Sequence, residues 1–340
     1  MDVRLSDEQR ALRDAAVAVV AKLGPASVAD LDDGGRADRL DAAIAAAGWR
    51  ELRTSGDDGA PLASAVEAAL VAEELGRGLA DAAYIGPLLA ADLRRLAGVA
   101  ATDVAETVVL TADLAALAGA CRAVAVDSRG AQRALCLDGA DLLAVPIAPS
   151  QTDEVDLTRR TVVVELSVGG AERAGEVAAD DVVRWTALGL AVSSADLVGV
   201  MRGAIDLAVD YAATRRQYDA AVGSFQAVQH LLADAYVAME GSRSAALHAA
   251  WAIDALDPAD ALAAAASAKA YCARAARMVC ETSIQVHGGI GNTWECKAHL
   301  YLRRALVSSD LLGGVGASLR RVLDHEVGAQ QSLGAGVGLR

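Results

Sequence analysis

The side chains best suited to binding a ligand lie together in residues 214–304. This stretch carries Arg215, Gln226, Gln285 and the pair Gly288-Gly289. An arginine guanidinium can hold two phosphate oxygens through parallel hydrogen bonds. A glycine pair lets backbone amides approach a ligand without a Cβ in the way, and glutamine offers a donor and an acceptor to a ribose or a base. These residue types are compatible with a ligand that carries phosphate.

Each of these residues also has an ordinary structural explanation. Arg215 alone is more often a solvated charge at a helix end, and Gly288-Gly289 alone is more often a helix C-cap. Gln285 alone carries no signal. Only the combination, at this spacing and between long helices, favours a binding site.

One acid is notable for its surroundings. Asp196 is the only acidic residue in the apolar segment 187–200. Burial of an unpaired carboxylate raises its pKa, which would bring Asp196 towards the working range of a general base. The alternative is a structural salt bridge to Arg202 or to a neighbouring helix. The residues themselves leave both roles open.

Long helices must position these candidates. From Trp185 onwards the apolar residues recur with the period of a helix. The predicted helices are 187–213, 226–256, 258–287 and 294–312. Asp257 can cap the third of them, with Pro258 at its first position. Four long helices with short links predict an antiparallel bundle over 184–328, followed by a flexible tail over 329–340.

Two further regions precede the bundle. Residues 1–98 carry helical patterns and begin with a capping box, in which Ser6 caps a helix and Gln9 lies three residues on. Residues 99–183 contain short, β-branched or alternating segments separated by turns. The predicted strands are 107–110, 122–126, 134–137, 142–146 and 161–166. The sequence therefore predicts an α+β fold that is mainly α: an N-terminal helical domain, a small middle β domain and a C-terminal four-helix bundle.

The composition limits the classes of partner. The chain has 340 residues, of which 54% are hydrophobic and 22% charged, which suits large cores in two or three domains. Its net charge of -14 argues against binding nucleic acid or an anionic membrane surface. No apolar run in the sequence approaches the roughly 18 residues of a membrane span, so we expect no membrane partner.

The cysteines indicate reduced thiols rather than a disulfide framework or a metal site. Their number, 5, is odd, and the sequence contains no Cys-x-x-Cys pair. The N-terminus lacks the basic start and apolar segment of a secretory signal. We therefore expect no metal and a cytoplasmic location. The cysteines are Cys121, Cys136, Cys272, Cys280 and Cys296.

Several motifs resemble those of the acyl-CoA dehydrogenase family. Residues 215–218 (Arg-Arg-Gln-Tyr), Phe225-Gln226 and residues 285–291 (Gln-Val-His-Gly-Gly-Ile-Gly) are similar to the bundle of that family. Residues 6–9 (Ser-Asp-Glu-Gln) and 73–76 (Glu-Glu-Leu-Gly) are similar to its first domain. The resemblance covers nearly the whole chain. It is strongest in the bundle and poorest in the β domain.

The resemblance implies FAD as cofactor and an acyl-CoA thioester as substrate. In the family, a base removes the α-proton, the β-hydride passes to the flavin, and an electron-transfer flavoprotein or similar acceptor takes the electrons. FAD lies across a subunit interface, so that one subunit's β domain holds the flavin ring and the other's bundle meets the pyrophosphate and adenosine. Carried over to this chain, the cofactor-binding residues are Arg215, Gln217, Tyr218, Gln226, Gln285, Gly288, Gly289 and Thr293.

The chain departs from the family at the flavin ring and at the base. Residues 110–113 (Leu-Thr-Ala-Asp) stand where the family carries a Thr-Glu element, and its later Trp-Ile-Thr element has no counterpart. The family's catalytic glutamate follows the last bundle helix or lies on the first, which corresponds here to residues 309–314 or to Gly189. Neither place has a matching carboxylate, which leaves Asp196 and Asp310 as the candidate bases.

Three interpretations remain open at this point. In the first, the chain resembles one subunit of an actinobacterial heteromeric acyl-CoA dehydrogenase of the steroid side-chain type. It would then supply the adenosine and pyrophosphate side of the FAD site to a second acyl-CoA dehydrogenase-like subunit (an α2β2 assembly). In the second, it is a self-sufficient homo-oligomer with a displaced base. In the third, it is a structural subunit without flavin.

Overall fold

The computed structural model describes residues 4–119, 122–148, 155–165 and 171–337, with side chains as far as residue 328. The N-terminal region is helical, as predicted. Its helices are α1 Asp7–Leu23, α2 Gly34–Ala46, α3 Ala65–Arg77 and α4 Ile85–Leu96, with 3-10 turns at Ala29–Asp32 and Trp49–Glu51. The predicted capping box is confirmed: the Ser6 hydroxyl accepts from the Gln9 amide at 3.1 Å, and the Gln9 side chain accepts from the Ser6 amide at 3.0 Å.

The middle region is a six-stranded sheet. Its strands are β1 Glu106–Thr111, β2 Arg122–Val126, β3 Arg133–Asp138, β4 Asp141–Pro146, β5 Val162–Glu165 and β6 Glu172–Glu176. They lie in the order β5-β2-β1-β3-β4-β6, with β1 parallel to β3 and the other described pairs antiparallel. The five predicted strands are present. The prediction lacks β6, because this largely exposed edge strand carries polar residues instead of an alternating apolar pattern.

The C-terminal region contains the predicted long helices and a further one. Its helices are α5 Ala179–Thr214, α6 Gln226–Ala255, α7 Pro258–His287, α8 Ala298–Asp310 and α9 Val315–Val337. A small hairpin, β7 Arg216–Gln217 and β8 Ala220–Ala221, links α5 to α6, and 3-10 turns occupy Val222–Ser224 and Gly288–Asn292. The bounds of α7 match the prediction because Asp257 caps it: its carboxylate accepts from the amides of Ala259 and Asp260.

Helix α9 is a helix that the four-helix prediction lacks. It continues to Val337, into the segment for which the sequence predicts a flexible tail. Gly316 and Gly328 lower its intrinsic helix propensity, so the helical pattern is weak in the sequence. Contacts with α7 stabilise it instead, including a contact of 2.8 Å between the His325 ring and the carboxylate of Asp260.

Helix α5 forms the centre of the molecule. By length and composition it could cross a membrane, which differs from the expectation drawn from the sequence. However, 94% of its most apolar window is buried inside the protein. Its apolar composition is therefore that of a core helix.

Helices α3 and α5 approach each other backbone to backbone. A Cβ added at Gly199 of α5 would lie 1.8 Å from the carbonyl oxygen of Glu73 and 2.7 Å from the amide nitrogen of Arg77. Nearby, the Arg202 guanidinium bridges the same helices by pairing with Glu73 at 2.5 Å and with Glu74 at 2.7 Å. The absence of a side chain at Gly199 thus sets the spacing of two core helices.

Candidate cofactor-binding site

Three chain segments meet at one end of the bundle. Ser283 of α7 donates to the carbonyl of Ala204 of α5 at 2.8 Å. One turn later the ring of His287 stacks on Tyr211 of α5, with centroids 4.5 Å apart. The two helices therefore run in the same direction, and their C-terminal ends lie together. Since the hairpin after α5 leads directly into α6, the start of α6 lies at this end too.

Arg215 lies at this end with its charge available. It is the exposed C-cap residue of α5, and its guanidinium forms no hydrogen bond or ion pair with any described residue. The neighbouring Arg216 instead donates to the carbonyl of Asp219 at 2.5 Å. An exposed, unpaired guanidinium keeps its parallel donors for an anionic ligand. Of the two arginines, Arg215 therefore has the side chain available to a ligand, and its role in cofactor binding stays a prediction.

The glycine pair forms an open backbone surface beside Arg215. Gly288 caps α7 with φ +64°, a conformation that glycine adopts without strain. A Cβ at Gly288 or Gly289 would meet no atom within 4 Å. Gln285 is exposed one turn earlier, and Gln226 is the exposed first residue of α6, where the helix dipole adds partial positive charge. This arrangement fits the pyrophosphate and adenosine half of FAD.

The other three predicted residues lie near the same end but differ in availability. Gln217 donates its side-chain amide to the carbonyl of Arg216 at 2.9 Å. Tyr218, in the hairpin turn with φ +51°, is 91% exposed. Thr293 is half-buried, and its hydroxyl donates to the carbonyl of Ile290 at 2.8 Å. Of the three, Tyr218 is the side chain most accessible to a ligand.

The two regions that correspond to the family's catalytic glutamate, residues 309–314 and Gly189, contact each other through Leu312. Gly189 is in α5, and Leu312 is in the turn after α8. A Cβ at Gly189 would lie 2.1 Å from Cδ1 of Leu312, and both residues are buried. Asp310, two residues earlier, is exposed at the end of α8. An apolar side chain therefore fills the space beside Gly189.

The region that corresponds to the flavin-ring side is closed by contacts within the chain. After β1 the chain turns back on itself, and the Thr111 hydroxyl donates to Asp113 at 2.6 Å. Arg321 of α9 donates to the carbonyl of Leu312 at 2.7 Å and to that of Ala115 at 3.3 Å. These bonds join the turn after β1 to the turn after α8. The described residues of these two turns therefore bond to each other.

Asp196 lies in a buried cluster of charges. It is 1% exposed, pairs with Arg304 at 2.7 Å and Arg159 at 2.9 Å, and accepts a hydrogen bond from Ser308 at 2.7 Å. Burial alone would raise its pKa, but the two guanidiniums outweigh burial and lower the pKa of Asp196 to about 2. Asp196 therefore forms a structural salt bridge to a neighbouring helix and does not have the raised pKa of a base. Its partners are Arg304 and Arg159, not Arg202.

A buried lysine that the sequence analysis missed lies beside this cluster. Lys269 of α7 is fully buried, and its ammonium donates to the Ser193 hydroxyl at 2.8 Å and to the Ser308 carbonyl. Burial lowers the pKa of Lys269 to about 7. Helical spacing could have identified it, because Lys269 lies four residues after Ala265 and four before Ala273 on the apolar face of α7.

Replacing Lys269 with methionine is expected to flatten the pH dependence of stability above neutral pH. The pKa of Lys269 is about 7 in the folded protein and near the model value of 10.5 in the unfolded chain. Between these values the unfolded chain binds more protons, so stability rises with pH by up to about 1.4 kcal/mol per pH unit. Methionine does not titrate, so the variant lacks this gain.

Urea unfolding of both proteins between pH 7 and pH 9, within the window set by that pKa, measures the difference. The control is Lys22→Met, which changes an exposed lysine of α1 and should leave the slope as in the wild type. If the Lys269→Met protein keeps the wild-type slope, the buried lysine does not titrate in this range.

The thiols and metal-binding side chains show no second site. Within the described ranges, no group of three or more His, Cys, Asp or Glu residues is placed to hold a metal ion. Cys272, Cys280 and Cys296 are buried free thiols, Cys136 is also buried, and Cys121 lies outside the described residues. Burial raises the pKa of the Cys272 thiol to about 12, which keeps it protonated and unreactive.

A crevice of about 800 Å³ lies between the N-terminal helices and the sheet. Its lining includes none of the cofactor candidates. The arginines that line it pair with acids of the chain, as in the contacts of Arg94 with Glu106 at 2.5 Å and of Arg50 with Asp41. It therefore does not compete with the bundle end as a site for an anionic cofactor.

An exposed apolar surface flanks the bundle end. In the first half of α6, residues 226–240, only Ala235 and Met239 are buried. Large hydrophobic side chains of α6, α7 and the residue before α6 remain exposed to solvent. We call them the α6–α7 surface: Phe225, Leu231, Tyr236, Val237, Tyr271 and Met278. An apolar patch of this kind marks a protein interaction site.

The sequence of the bundle matches a known protein family. Residues 167–326 match the family described as "Acyl-CoA dehydrogenase, C-terminal domain". The chain is 43% identical over 148 residues to acyl-CoA dehydrogenase FadE34 of Mycobacterium tuberculosis, covering 43% of this chain and 21% of that protein. It is 34% identical over 168 residues to acyl-CoA dehydrogenase FadE27 of the same organism, covering 47% and 44%. The chain thus spans less than half the length of these curated relatives.

The whole fold is similar to solved structures. The Tcur3481-Tcur3483 steroid ACAD superimposes with a TM-score of 0.81 at 22% identity, covering 96% of this chain and 99% of that chain. The ChsE4-ChsE5 complex from Mycobacterium tuberculosis superimposes with a TM-score of 0.74 at 23% identity, with the same coverage of 96% and 99%. At these identities the comparison establishes the three-part fold.

Proposed function

We propose, from the match of residues 167–326 to the acyl-CoA dehydrogenase C-terminal domain and from the fold, that the chain belongs to the acyl-CoA dehydrogenase family and is one subunit of a hetero-oligomeric, FAD-dependent acyl-CoA dehydrogenase. The chain supplies the adenosine and pyrophosphate side of the FAD site. A second acyl-CoA dehydrogenase-like subunit supplies the flavin side and the base. The reaction is the α,β-dehydrogenation of an acyl-CoA thioester, for which FAD, when bound, provides the acceptor of the β-hydride.

The contrast between two regions of the chain supports this proposal most strongly. At the bundle end, Arg215 is unpaired among the described residues and Gly288 and Gly289 are open to a ligand. At the place of the base, Leu312 fills the space beside Gly189. A chain with an available half-site and a closed catalytic region suits an enzyme whose two halves come from different subunits.

Each side chain at the bundle end has a distinct task in this proposal. The Arg215 guanidinium holds the pyrophosphate through charge-assisted hydrogen bonds. The backbone of Gly288 and Gly289 lies against the cofactor because no Cβ intervenes. Gln226 and Gln285 provide paired donors and acceptors to the adenosine.

Neither candidate acid of this chain serves as the base in this proposal. A general base must come within about 2.6–3.2 Å of the proton that it removes. Asp196 is buried and held by two guanidiniums, and Asp310 points from the exposed end of α8. The base then belongs to the second subunit.

The α6–α7 surface is the proposed contact with that subunit. It adjoins the bundle end, and it is apolar and exposed, as Val237 at 70% and Tyr236 at 53% illustrate. The names of two similar structures each contain two proteins, and one is called a steroid ACAD. These names favour a second subunit and a steroid side-chain acyl group. An electron-transfer flavoprotein as acceptor and a cytoplasmic location complete the proposal.

The proposal is tested by purifying the chain alone, the acyl-CoA dehydrogenase-like product of the adjacent gene alone, and the two together. Flavin absorbance and acyl-CoA-dependent reduction of a dye are measured for each. We expect flavin retention and turnover in the mixture and no turnover by this chain alone. Turnover by this chain alone would establish a self-sufficient homo-oligomer instead. A colourless, inactive mixture would indicate a structural subunit without flavin.

Replacing Arg215 with alanine in the assembled enzyme is expected to weaken FAD binding by roughly tenfold or more, because a charge-assisted contact contributes about 1.5–3 kcal/mol. Flavin retained after gel filtration and FAD titration of the stripped protein measure the loss. Arg216→Ala is the matched control, since the Arg216 guanidinium already bonds to Asp219. Equal FAD affinity in the two variants would contradict the role assigned to Arg215.

A further inference from the structure

Helix α9 carries an apolar stripe that no described part of the chain covers. Leu319, Leu323 and Val327 are 54%, 61% and 44% exposed. They recur every four residues. Because a helix turns about 100° per residue, successive members of the stripe are offset by only about 40° and lie on one side of the helix. Three large apolar side chains in a row on one exposed helix face are typical of a helix–helix contact.

The opposite side of α9 attaches it firmly to the protein. Ser318 is fully buried, and Arg321 bonds to the carbonyls of Leu312 and Ala115. His325 contacts the carboxylate of Asp260 at 2.8 Å. The stripe is therefore presented on a helix whose orientation is set before any partner binds, which lowers the ordering cost of association.

We propose that this stripe joins two copies of this chain through antiparallel pairing of their α9 helices. A two-fold axis beside Leu323 brings the two Leu323 side chains together and sets Leu319 of each copy against Val327 of the other. All three apolar positions are then buried by the same three positions of the second copy. Such an isologous contact closes after two copies.

The charges of Arg320 and Asp324 beside the stripe are compatible with this arrangement. Arg320 and Asp324 are exposed and lie on the same side of the stripe. When two helices pack antiparallel, the flanks on the same side of the stripe face each other. Arg320 of each copy then lies beside Asp324 of the other, offset along the helix axis by about 3 Å, the rise of two residues. In parallel pairing the same-side flanks lie on opposite sides of the contact, so Arg320 would not meet Asp324. Opposite charges across the contact favour the antiparallel second copy.

This contact goes beyond the proposed function and does not depend on it. It uses a different face from the α6–α7 surface, and it involves neither FAD nor the second subunit. If the proposed heteromer forms, the α9 contact joins two such pairs into an assembly with two copies of each subunit. Because the stripe is short, we expect the surface area buried on each copy to be smaller than the roughly 800 Å² per partner of a standard interface. The dimer should therefore be weak.

The test is sedimentation equilibrium of the full chain alone over a range of concentrations. Leu323→Glu is expected to weaken the dimer on the order of tenfold or more, because a carboxylate would be buried at the centre of the contact. Leu62→Glu places the same change on a side chain that is 63% exposed in a distant loop, and it should leave the dimer unchanged.

A charge exchange tests the orientation without altering the stripe. Arg320→Glu should weaken the dimer by setting like charges together, and adding Asp324→Arg to it should restore the dimer. A chain that stays monomeric at every concentration, or a dimer that Leu323→Glu leaves intact, would overturn the proposal. The proposal would also be overturned if Leu323→Glu weakened only the complex with the second subunit. That result would mean that the second subunit, and not another copy of this chain, covers the stripe. Failure of these experiments leaves the flavin and turnover results of the heteromer test unaffected.

Discussion

Replacing Gly199 with alanine is expected to destabilise the protein by more than about 3 kcal/mol, at or beyond the upper end of core overpacking. The new methyl group would lie 1.8 Å from the Glu73 carbonyl oxygen and 2.7 Å from the Arg77 amide nitrogen. Both are backbone atoms of α3, so no flexible side chain can move aside. The helices must separate, which also strains the pairing of Arg202 with Glu73 and Glu74.

The measurement is the free energy of unfolding in urea, together with the yield of soluble protein. Gly316→Ala in α9 is the matched control, because a Cβ there would meet no atom within 4 Å. That change should be neutral or stabilising by up to about 1 kcal/mol, the ordinary gain of alanine over glycine in a helix. Equal stability of the two variants would mean that α3 and α5 do not approach as closely as described.

Replacing Asp196 with asparagine is expected to cost about 3–5 kcal/mol, the typical loss when one partner of a buried ion pair is removed. The change leaves Arg159 and Arg304 buried without the carboxylate that both contact. In the wild type, the contribution of Asp196 is present above the unfolded pKa near 3.8 and is lost as the pH falls towards the folded pKa of about 2. The variant should therefore also show a flatter acid limb.

Asp310→Asn is the matched control for this variant. It makes the same chemical change at an exposed helix end, so stability should change by less than about 0.5 kcal/mol, as at other surface positions. Turnover per folded, flavin-loaded complex should stay near that of the wild type in both variants, because the proposed base lies in the second subunit. A loss of several hundredfold in kcat for either variant, with flavin content unchanged, would identify that acid as the base.

Elements whose signals are local could be predicted from the sequence. The capping box of Ser6 and Gln9 and the start of α7 at Pro258 after Asp257 were both confirmed. Capping joins residues two or three positions apart, so the chemistry that begins a helix is written in adjacent residues. The cofactor motif around Arg215 is similarly local, and its role in binding stays a prediction until FAD binding is measured.

Elements that depend on contacts with other parts of the chain could not be predicted in this way. Helix α9 forms on α7 in spite of Gly316 and Gly328, and β6 forms because β4 offers an edge to a polar segment. Neither has a strong pattern of its own, since tertiary contacts supply the stability that propensity does not.

The fold class, the order of the three regions and the candidate cofactor residues follow from local sequence patterns. The protonation and packing of the buried groups depend on contacts between distant parts of the chain. The direction of the Asp196 pKa depends on whether desolvation or nearby charge prevails, and Arg159 and Arg304 reach it from distant parts of the chain. The packing of Leu312 into the space beside Gly189 is likewise a contact between remote segments. Local patterns place residues on elements, whereas burial and charge balance arise only when those elements pack together.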